Sequence, residues 1–357
     1  MNMKTALPPF AVIHSPNMPE IIYDLGFTLV LSTFQAGKVV FISAADREKL
    51  IQLPRSFDSA MGIATSGTKL AVACKKDLIV LKNFPHLAKN YPRKPNTYDS
   101  MFVPMCRYYT GALDLHDMNF VDSKIVAVNT LFSCLAEISE EYSCTPVWKP
   151  PFITDLVPED RCHLNGMAVL DNRIEYVTAL GNVNTKQGWR ENKIKGGVLV
   201  HVPTSEIVIQ GLSMPHSPRI YDRKLYFLNS AQGELCIGYP EKGTYEVITQ
   251  VGGFARGMAK SGDFLFIGIS KLRHTTDVFR DLPIAKTSFA GVVVVYLPYG
   301  KVIGQIKYES SVDEIYDVKI LPGLKRPGIL NSEKLAENIA VVMPGNSFWG
   351  ISSEEGQ

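Results

Sequence analysis

One pattern recurs along this 357-residue chain and constrains its fold more than any other feature. The pattern is three residues long: a bulky or polar residue, then a small or acidic residue, then an apolar residue. In most copies a turn and a second strand-like segment follow. The intervals between copies run from 40 to 60 residues, the range expected of β-propeller blades. The copies are Met61-Gly62-Ile63, His116-Asp117-Met118, Asn165-Gly166-Met167, His216-Ser217-Pro218, Arg256-Gly257-Met258 and Tyr316-Asp317-Val318.

The segments between these copies predict an all-β protein, because they are short, rich in β-branched and aromatic residues, and bounded by Gly, Asp, Asn and Pro. Residues 27–54 contain only three strand-like segments, whereas residues 314–323 form a segment with no partner after it. Pairing these two ends would complete a blade and remove the exposed edges of an open array. We therefore predict one domain over residues 1–357, a six-bladed β-propeller closed by pairing of its N- and C-terminal strands. Residues 1–20 and those after about 332 would then be peripheral.

Three insertions are expected to surround one mouth of the central channel. In a propeller, the loops that enter the innermost strands and the loops that join second to third strands lie on the same face. We predict this location for residues 85–110, 181–197 and 271–290. All six innermost strands would also begin at this mouth, so their first side chains should converge there.

This convergence predicts a functional site that combines histidine, arginine and acidic side chains. The expected catalytic residues are His116, His163, His216, Arg256, Glu314 and Tyr316. The expected substrate-binding residues are Asp114, Asn165, Trp189, Arg190, Arg219, Asn229 and Arg273. Such residues could instead only cap the channel and bind ordered water. Three of the chain's seven histidines meeting at one mouth favours a ligand pocket.

Two kinds of chemistry fit these residue types. His116, His163, His216 and Glu314 could hold a divalent metal ion such as Zn, Fe, Mn or Ca. The same groups could act as general acids and bases while Arg256 holds an anionic substrate. We therefore expect an enzyme acting on a small molecule or peptide, of lyase, hydrolase or isomerase/cyclase type. A non-catalytic ligand-binding or protein-interaction propeller is the alternative.

The composition of the chain limits the kinds of partner that it is expected to bind. The 37 basic and 35 acidic residues are spread along the chain, without the basic block that nucleic-acid binding requires. Pro8 and Pro9 interrupt the N-terminal apolar run, which argues against a signal peptide or membrane span. The six cysteines form no CxxC pair, so we expect free thiols and a cytoplasmic protein. The glycine pairs lack the strand-to-helix setting of a phosphate loop, so no nucleotide cofactor is expected.

Several motifs resemble those of a bacterial conserved hypothetical family with a domain-of-unknown-function label. They are NTLFSCL (129–135), WKPPF (148–152), EDRCHLNGMA (159–168), GWR (188–190), MPHSPR (214–219), ARGM (255–258) and EIYDV (314–318). The resemblance covers nearly the whole chain and implies family membership without an activity. The architecture is also loosely similar to streptogramin lyases and senescence-marker-type lactonases, propeller enzymes with metal or His and Glu groups at the channel mouth.

Overall fold

The computed structural model describes residues 7–272, 282, 284, 288–331 and 340–350. Within them, six sheets are arranged as the blades of a six-bladed β-propeller, as the repeat predicted. We number the blades from the one that contains the N-terminal strands Phe27–Thr33, Lys38–Ala44 and Leu50–Ser56.

Each blade contains four antiparallel strands that run outward from the central channel. From blade 1 to blade 6, the innermost strands are Asp317–Pro322, Ile63–Ser66, Leu115–Val121, Leu164–Leu170, Pro215–Tyr221 and Phe254–Ser261. The second strands are Phe27–Thr33, Lys69–Ala73, Lys124–Asn129, Arg173–Ala179, Lys224–Asn229 and Phe264–Ser270. The third strands are Lys38–Ala44, Asp77–Asn83, Cys134–Ile138, Gly197–His201, Glu234–Tyr239 and Gly291–Tyr296. The outermost strands are Leu50–Ser56, Ser100–Tyr109, Thr145–Trp148, Glu206–Leu212, Thr244–Gln250 and Lys301–Tyr308.

The ring is closed in blade 1 by pairing of the two ends of the chain, which confirms the predicted closure. Asp317–Pro322 pairs antiparallel with Phe27–Thr33, in a register that runs from Phe27 opposite Pro322 to Ser32 opposite Asp317. All seven residues of Phe27–Thr33 are buried, because neighbouring strands lie on both sides and neighbouring blades cover both faces.

The expectation that residues 1–20 are peripheral is wrong for the part that the structure describes. Val12–His14 adds a strand to the outer edge of blade 6. The helix Met18–Leu25 follows, with Pro19 in its first turn and Gly26 in the left-handed conformation at its end (φ 64°), as helix boundaries favour. Met18 and Ile22 are fully buried in the core between blades 1 and 6.

Residues 85–110 do not form an insertion at the mouth. They contain the helix Pro85–Lys89 and the outermost strand of blade 2, Ser100–Tyr109. The helix and the residues that follow it connect the third strand of blade 2 to its outermost strand. A connection of this kind lies on the face of the propeller opposite the mouth. The strand escaped prediction because Pro104 lies beside a register shift and the residues after it are mostly exposed, so neither alternation nor β-propensity marks it.

The C-terminal region covers this part of blade 2. Pro327–Ile329 pairs in parallel with Ser100–Tyr109, and Ala340–Met343 forms a hairpin with Asn346–Trp349. The Trp349 indole Nε1 donates to the Leu87 carbonyl oxygen (2.9 Å). The structure also contains the short 3-10 helices Gly188–Asn192, Ser230–Gln232, Pro240–Lys242 and Leu297–Tyr299. No helix of the described residues has the length and apolar character needed to cross a membrane.

The innermost strands of alternate blades carry a glycine where the next blade approaches. A Cβ atom at any of these glycines would lie within about 3 Å of that neighbour. The distances would be 3.1 Å from Gly62 to Asp117 Cα, 2.5 Å from Gly166 to Pro218 Cδ, and 2.5 Å from Gly257 to Val318 N.

In the intervening blades the equivalent position is polar and bonds the backbone of the following blade. The acceptor–donor pairs are Asp117 Oδ2 with Met167 N (3.0 Å), Ser217 Oγ with Gly257 N (2.9 Å) and Asp317 Oδ2 with Ile63 N (3.0 Å). Glycine contacts and polar bonds thus alternate around the channel, and together they fix the spacing of the blades.

We expect Gly257→Ala to destabilise the protein strongly, by roughly 4 kcal/mol. Gly257 has a left-handed backbone (φ 72°), and the new methyl group would collide with the backbone of blade 1. The control is Gly252→Ala in the segment entering the same blade, where φ is 79° but no atom lies within 4 Å of the added Cβ. That variant should lose only about 1 kcal/mol. Urea unfolding of both variants measures the difference, and equal losses would show that the close approach is not what matters.

Candidate functional site

A cavity of about 450 Å³ opens at the channel mouth, within the range of small-molecule sites. It lies where the innermost strands begin, so side chains from several blades meet there. The predicted site residues that line it are Asp114, His116, His163, Trp189, Arg190, His216, Arg256, Glu314 and Tyr316.

Two of the histidines are held by the same backbone device. The residue two positions upstream has a left-handed backbone, with φ 53° at Asp114 and φ 51° at Met214. The carbonyl of that residue accepts a hydrogen bond from the histidine Nδ1, at 2.9 Å for both His116 and His216. Non-glycine residues adopt this conformation at a cost of order 1 kcal/mol, and here it turns a carbonyl toward each imidazole.

The third histidine is held by a carboxylate. His163 Nδ1 donates to the two carboxylate oxygens of Asp160 at 2.9 and 3.1 Å. Asp160 also accepts a hydrogen bond from the Trp189 indole Nε1 (3.0 Å). Trp189 comes from the insertion 181–197, so this carboxylate joins the insertion to the entry of blade 4.

These contacts determine which tautomer each of the three rings adopts in its neutral form. A carbonyl or an ionised carboxylate can only accept, so Nδ1 of His116, His163 and His216 carries the proton. Nε2 of each ring is then the basic nitrogen. In the part of the chain that the structure describes, Nε2 of these rings has no hydrogen-bond partner.

The rings also contact one another. His116 and His163 meet edge to face with centroids 4.8 Å apart, and His163 lies 4.6 Å from Trp189. His116 contacts Tyr316 on its other side (5.3 Å). The wall of the pocket is therefore a continuous row of rings that carries two basic nitrogens.

Arg256, Glu314 and Tyr316 form a connected group next to His116. Arg256 Nη1 donates to Glu314 Oε1 (2.9 Å), and the guanidinium carbon lies 4.1 Å from the Tyr316 ring centroid, a cation–π distance. Burial raises the pKa of the Tyr316 phenol, an effect that the nearby Arg256 only partly offsets. The phenol is therefore protonated near neutral pH and can donate.

Burial also keeps two histidines neutral. It lowers the pKa of His116 and His216 well below the usual value, and the nearby positive charge of Arg256 lowers both further. Burial raises the pKa of the Asp114 carboxyl above its usual range. The imidazoles of His116 and His216 are thus uncharged at neutral pH.

We expect the free energy of unfolding to fall as the pH drops below about 6.5, the usual histidine value. The unfolded chain takes up protons at His116 and His216 before the folded protein does, so acid favours the unfolded state. His216→Gln should make this decline shallower, whereas His86→Gln, at an exposed position, should leave it unchanged. Urea unfolding between pH 5 and 8 measures the slope. An unchanged slope in His216→Gln would contradict the assignment.

Below the pocket the channel is filled by a charged cluster. Arg219 donates to both carboxylate oxygens of Asp117 (2.7 and 3.1 Å) and lies 3.6 Å from Asp317. Asn165 donates to the Pro215 carbonyl (2.9 Å) and accepts from Thr178 (2.7 Å). Arg219 and Asn165, expected to bind substrate, thus line only a small cavity of about 10 Å³ beneath the pocket.

Two further predicted residues lie elsewhere. Asn229 is buried at the end of the second strand of blade 5, where it accepts from Ser213 N and donates to Glu234. Asn229 does not line the pocket, because its amide group is bonded to Ser213 N and Glu234. Arg273 lies outside the described residues, as does most of the insertion 271–290, although Lys271 and Leu272 at its start line the pocket.

The residues predicted as metal ligands, His116, His163, His216 and Glu314, all line the pocket. Among the residues that the structure describes, no group of three or more His, Cys, Asp or Glu side chains is placed to hold a metal ion. Glu314 is bonded to Arg256, and Nδ1 of each histidine is bonded to a carbonyl or carboxylate oxygen, which leaves Nε2 as the nitrogen that could contact a ligand.

Sequence reasoning missed Asp160, the carboxylate that orients His163. It lies outside the repeat, in the loop that enters blade 4, and only its position three residues before His163 hints at a contact. The aromatic residues Phe34 and Phe254 and the rim residue Gln187 also line the pocket and were not predicted.

Comparisons with known proteins agree with the fold. A family model described as a domain of unknown function matches residues 16–330. A search of curated proteins finds no match. A protein of unknown function from Bacteroides caccae has 8% identity and a TM-score of 0.52, over 83% of this chain and 99% of that chain. A chain of a nidogen/laminin complex has 10% identity and a TM-score of 0.49, over 84% and 99%. At 8% identity the likeness to the Bacteroides caccae protein concerns the fold alone.

Proposed function

We propose that this chain, which belongs to the DUF4915 domain-of-unknown-function family, is an enzyme. It performs general acid–base catalysis on a small molecule or peptide in the mouth pocket. The chemistry is of lyase, hydrolase or isomerase type.

One observation carries this proposal: three histidines line one cavity, and each has its Nδ1 proton bonded to a fixed acceptor. Channel-capping residues would need only satisfied polar atoms. These rings instead leave a basic nitrogen without a partner in the described part of the chain, in a cavity of ligand size. A neutral imidazole that is oriented in this way is suited to accept a proton from a substrate.

The surrounding groups support distinct roles. His163, oriented by Asp160, serves as the general base, with His116 in contact beside it. Tyr316, protonated near neutral pH, serves as the acid or as a hydrogen-bond donor to developing negative charge. Arg256 stabilises that charge from its position against the Tyr316 ring.

A turnover screen tests the proposal. Purified protein is incubated with mixtures of metabolites and short peptides, and mass spectrometry follows depletion of each compound and appearance of products. We expect the wild type to convert at least one compound and His163→Asn to convert it at least 100-fold more slowly. If ligands shift the melting temperature but none is converted, the non-catalytic ligand-binding alternative replaces the enzyme.

The predicted metal dependence is tested on the same protein. Metal analysis before and after treatment with a chelator reports any bound divalent ion. A stoichiometric ion whose removal abolishes turnover would assign the histidines a ligand role in place of the acid–base role.

We also propose a cytoplasmic location. The six cysteines are free thiols, four of them buried, and this supports a reducing compartment. Secretion of the native protein into the medium or periplasm would contradict it.

A further inference from the structure

The ionised side chains of the mouth pocket are not all paired within the part of the chain that the structure describes. Asp160 bonds His163, Glu314 bonds Arg256, and Lys271 bonds Asp313 (2.7 Å). In each of these pairs the carboxylate is bonded to a neighbouring side chain. Two residues of opposite sign that line the same cavity, Asp114 and Arg190, differ from them.

The Asp114 carboxyl makes no hydrogen bond or ion pair in the part of the chain that the structure describes. Only its backbone carbonyl is engaged, by His116 Nδ1 and Thr130 N. The residue is exposed at the cavity, so the partial burial that raises the pKa of its carboxyl does not close off access to it. A negative charge is therefore available there to a positively charged ligand group.

Arg190 is the positive counterpart. Its guanidinium carbon lies 4.9 Å from the Trp189 ring centroid, and within the described ranges no carboxylate pairs with it. Stacking on the indole holds the guanidinium at the rim while its N–H donors remain available. A carboxylate could accept two of them in the bidentate geometry that arginine favours.

A row of contacting side chains separates these two charges. Arg190 stacks on Trp189, Trp189 contacts His163, and His163 contacts His116, whose Nδ1 bonds the Asp114 carbonyl. A ligand that reached both side chains would therefore lie against these rings, near His116 and His163.

We infer that the substrate is an extended zwitterion, with an ammonium group bound by Asp114 and a carboxylate bound by Arg190. A short peptide with both termini free has this form. The inference rests on the proposed function for the statement that the bound molecule reacts, and it adds the substrate class. The apolar and aromatic wall, which includes Phe34, Phe254 and Leu272, accommodates apolar side chains of such a peptide.

Calorimetric binding of matched probes tests the charge requirement. The probes are Gly-Phe and Phe-Gly dipeptides, the N-acetylated, the C-amidated and the doubly capped form of each, and free phenylalanine. We expect the free dipeptides to bind at least roughly 10-fold more tightly than either capped form, because each cap removes one charge-assisted contact. Tight binding of doubly capped dipeptides, or of phenylalanine but no dipeptide, would overturn the extended zwitterion.

Two variants assign each charge to its residue. In Asp114→Asn, acetylating the dipeptide should no longer weaken binding, while amidating it still should. In Arg190→Gln the pattern should be reversed. The control Asp171→Asn with Arg223→Gln removes a solvent-exposed ion pair far along the chain from the pocket residues and should preserve both preferences. A variant that merely perturbed folding would weaken all probes alike and would count against the assignment.

The outcomes separate this inference from the proposed function. If free dipeptides bind with the expected charge pattern but no compound is converted, the zwitterion site stands and the enzyme fails. If the screen finds turnover only of neutral or singly charged compounds, the enzyme stands and the zwitterion site fails.

Discussion

A chain that ends at residue 313 is expected to lose its folded structure and to aggregate. The deletion removes the innermost strand Asp317–Pro322, which leaves the seven buried residues of Phe27–Thr33 without a partner on one side. It also removes Ile315 and Val318, which are fully buried, and the Asp317 bond to blade 2. The loss exceeds the roughly 5–15 kcal/mol by which domains are stable, and the exposed strand edge favours association. Soluble yield, circular dichroism and size-exclusion chromatography measure the outcome.

Two controls separate ring closure from simple loss of sequence. A chain that ends at Asn331 keeps the closing strand and should remain folded, with some loss of stability where Trp349 covers the helix Pro85–Lys89. Co-expressing residues 310–357 as a second chain with the 1–313 fragment should restore soluble protein, because the strand can pair without a covalent link. A soluble, cooperatively folding monomer of residues 1–313 alone would show that closure does not hold the ring together.

The fold was predictable because each blade repeats the same physical requirement. An innermost strand packed against two neighbouring blades needs a small or acidic residue at one position, and the glycines and aspartates at that position recur at blade spacing. The prediction failed where strands lack this pattern. Ser100–Tyr109 contains Pro104 and is mostly exposed after it, and Val12–His14 is a short edge strand. Their pairing is set by the neighbours they cover rather than by their own sequence.

The site was predictable to the extent that topology determines it. His116, His163, His216, Arg256 and Glu314 belong to different blades, yet all stand at or just before an innermost strand, and the structure places them at one mouth. Asp160 was not predictable because its role depends on the turn of one loop. Arg219 was assigned to substrate because sequence position cannot show that two aspartates enclose its guanidinium below the pocket.

Asp160→Asn is expected to reduce turnover by roughly 100-fold to 10,000-fold, the range of general acid–base contributions. Asp160 lines the cavity, but its carboxylate is bonded to His163 and Trp189, so we assign it the role of a positioning residue. Its carboxylate can only accept, which fixes the Nδ1 proton of His163, whereas an asparagine amide can also donate and so permits the wrong tautomer. Binding of unreacted ligand should change little, so kcat should fall far more than KM rises.

The control substitution is Asp155→Asn in the same loop, where the side chain is 71% exposed and lies 3.9 Å from Arg161. Because Asp155 has no contact with His163, it should leave kcat unchanged. Trp189→Phe removes the second hydrogen bond to Asp160 but not the bond to His163, and it should therefore cost less than Asp160→Asn. Nitrogen NMR of the histidines reports the tautomer directly, independently of turnover. If Asp160→Asn shifts the His163 tautomer but the protein keeps full activity, His163 is not the base. His116 or His216 would then have to take the proton. Their Nδ1 atoms are bonded to backbone carbonyls, which no side-chain substitution removes.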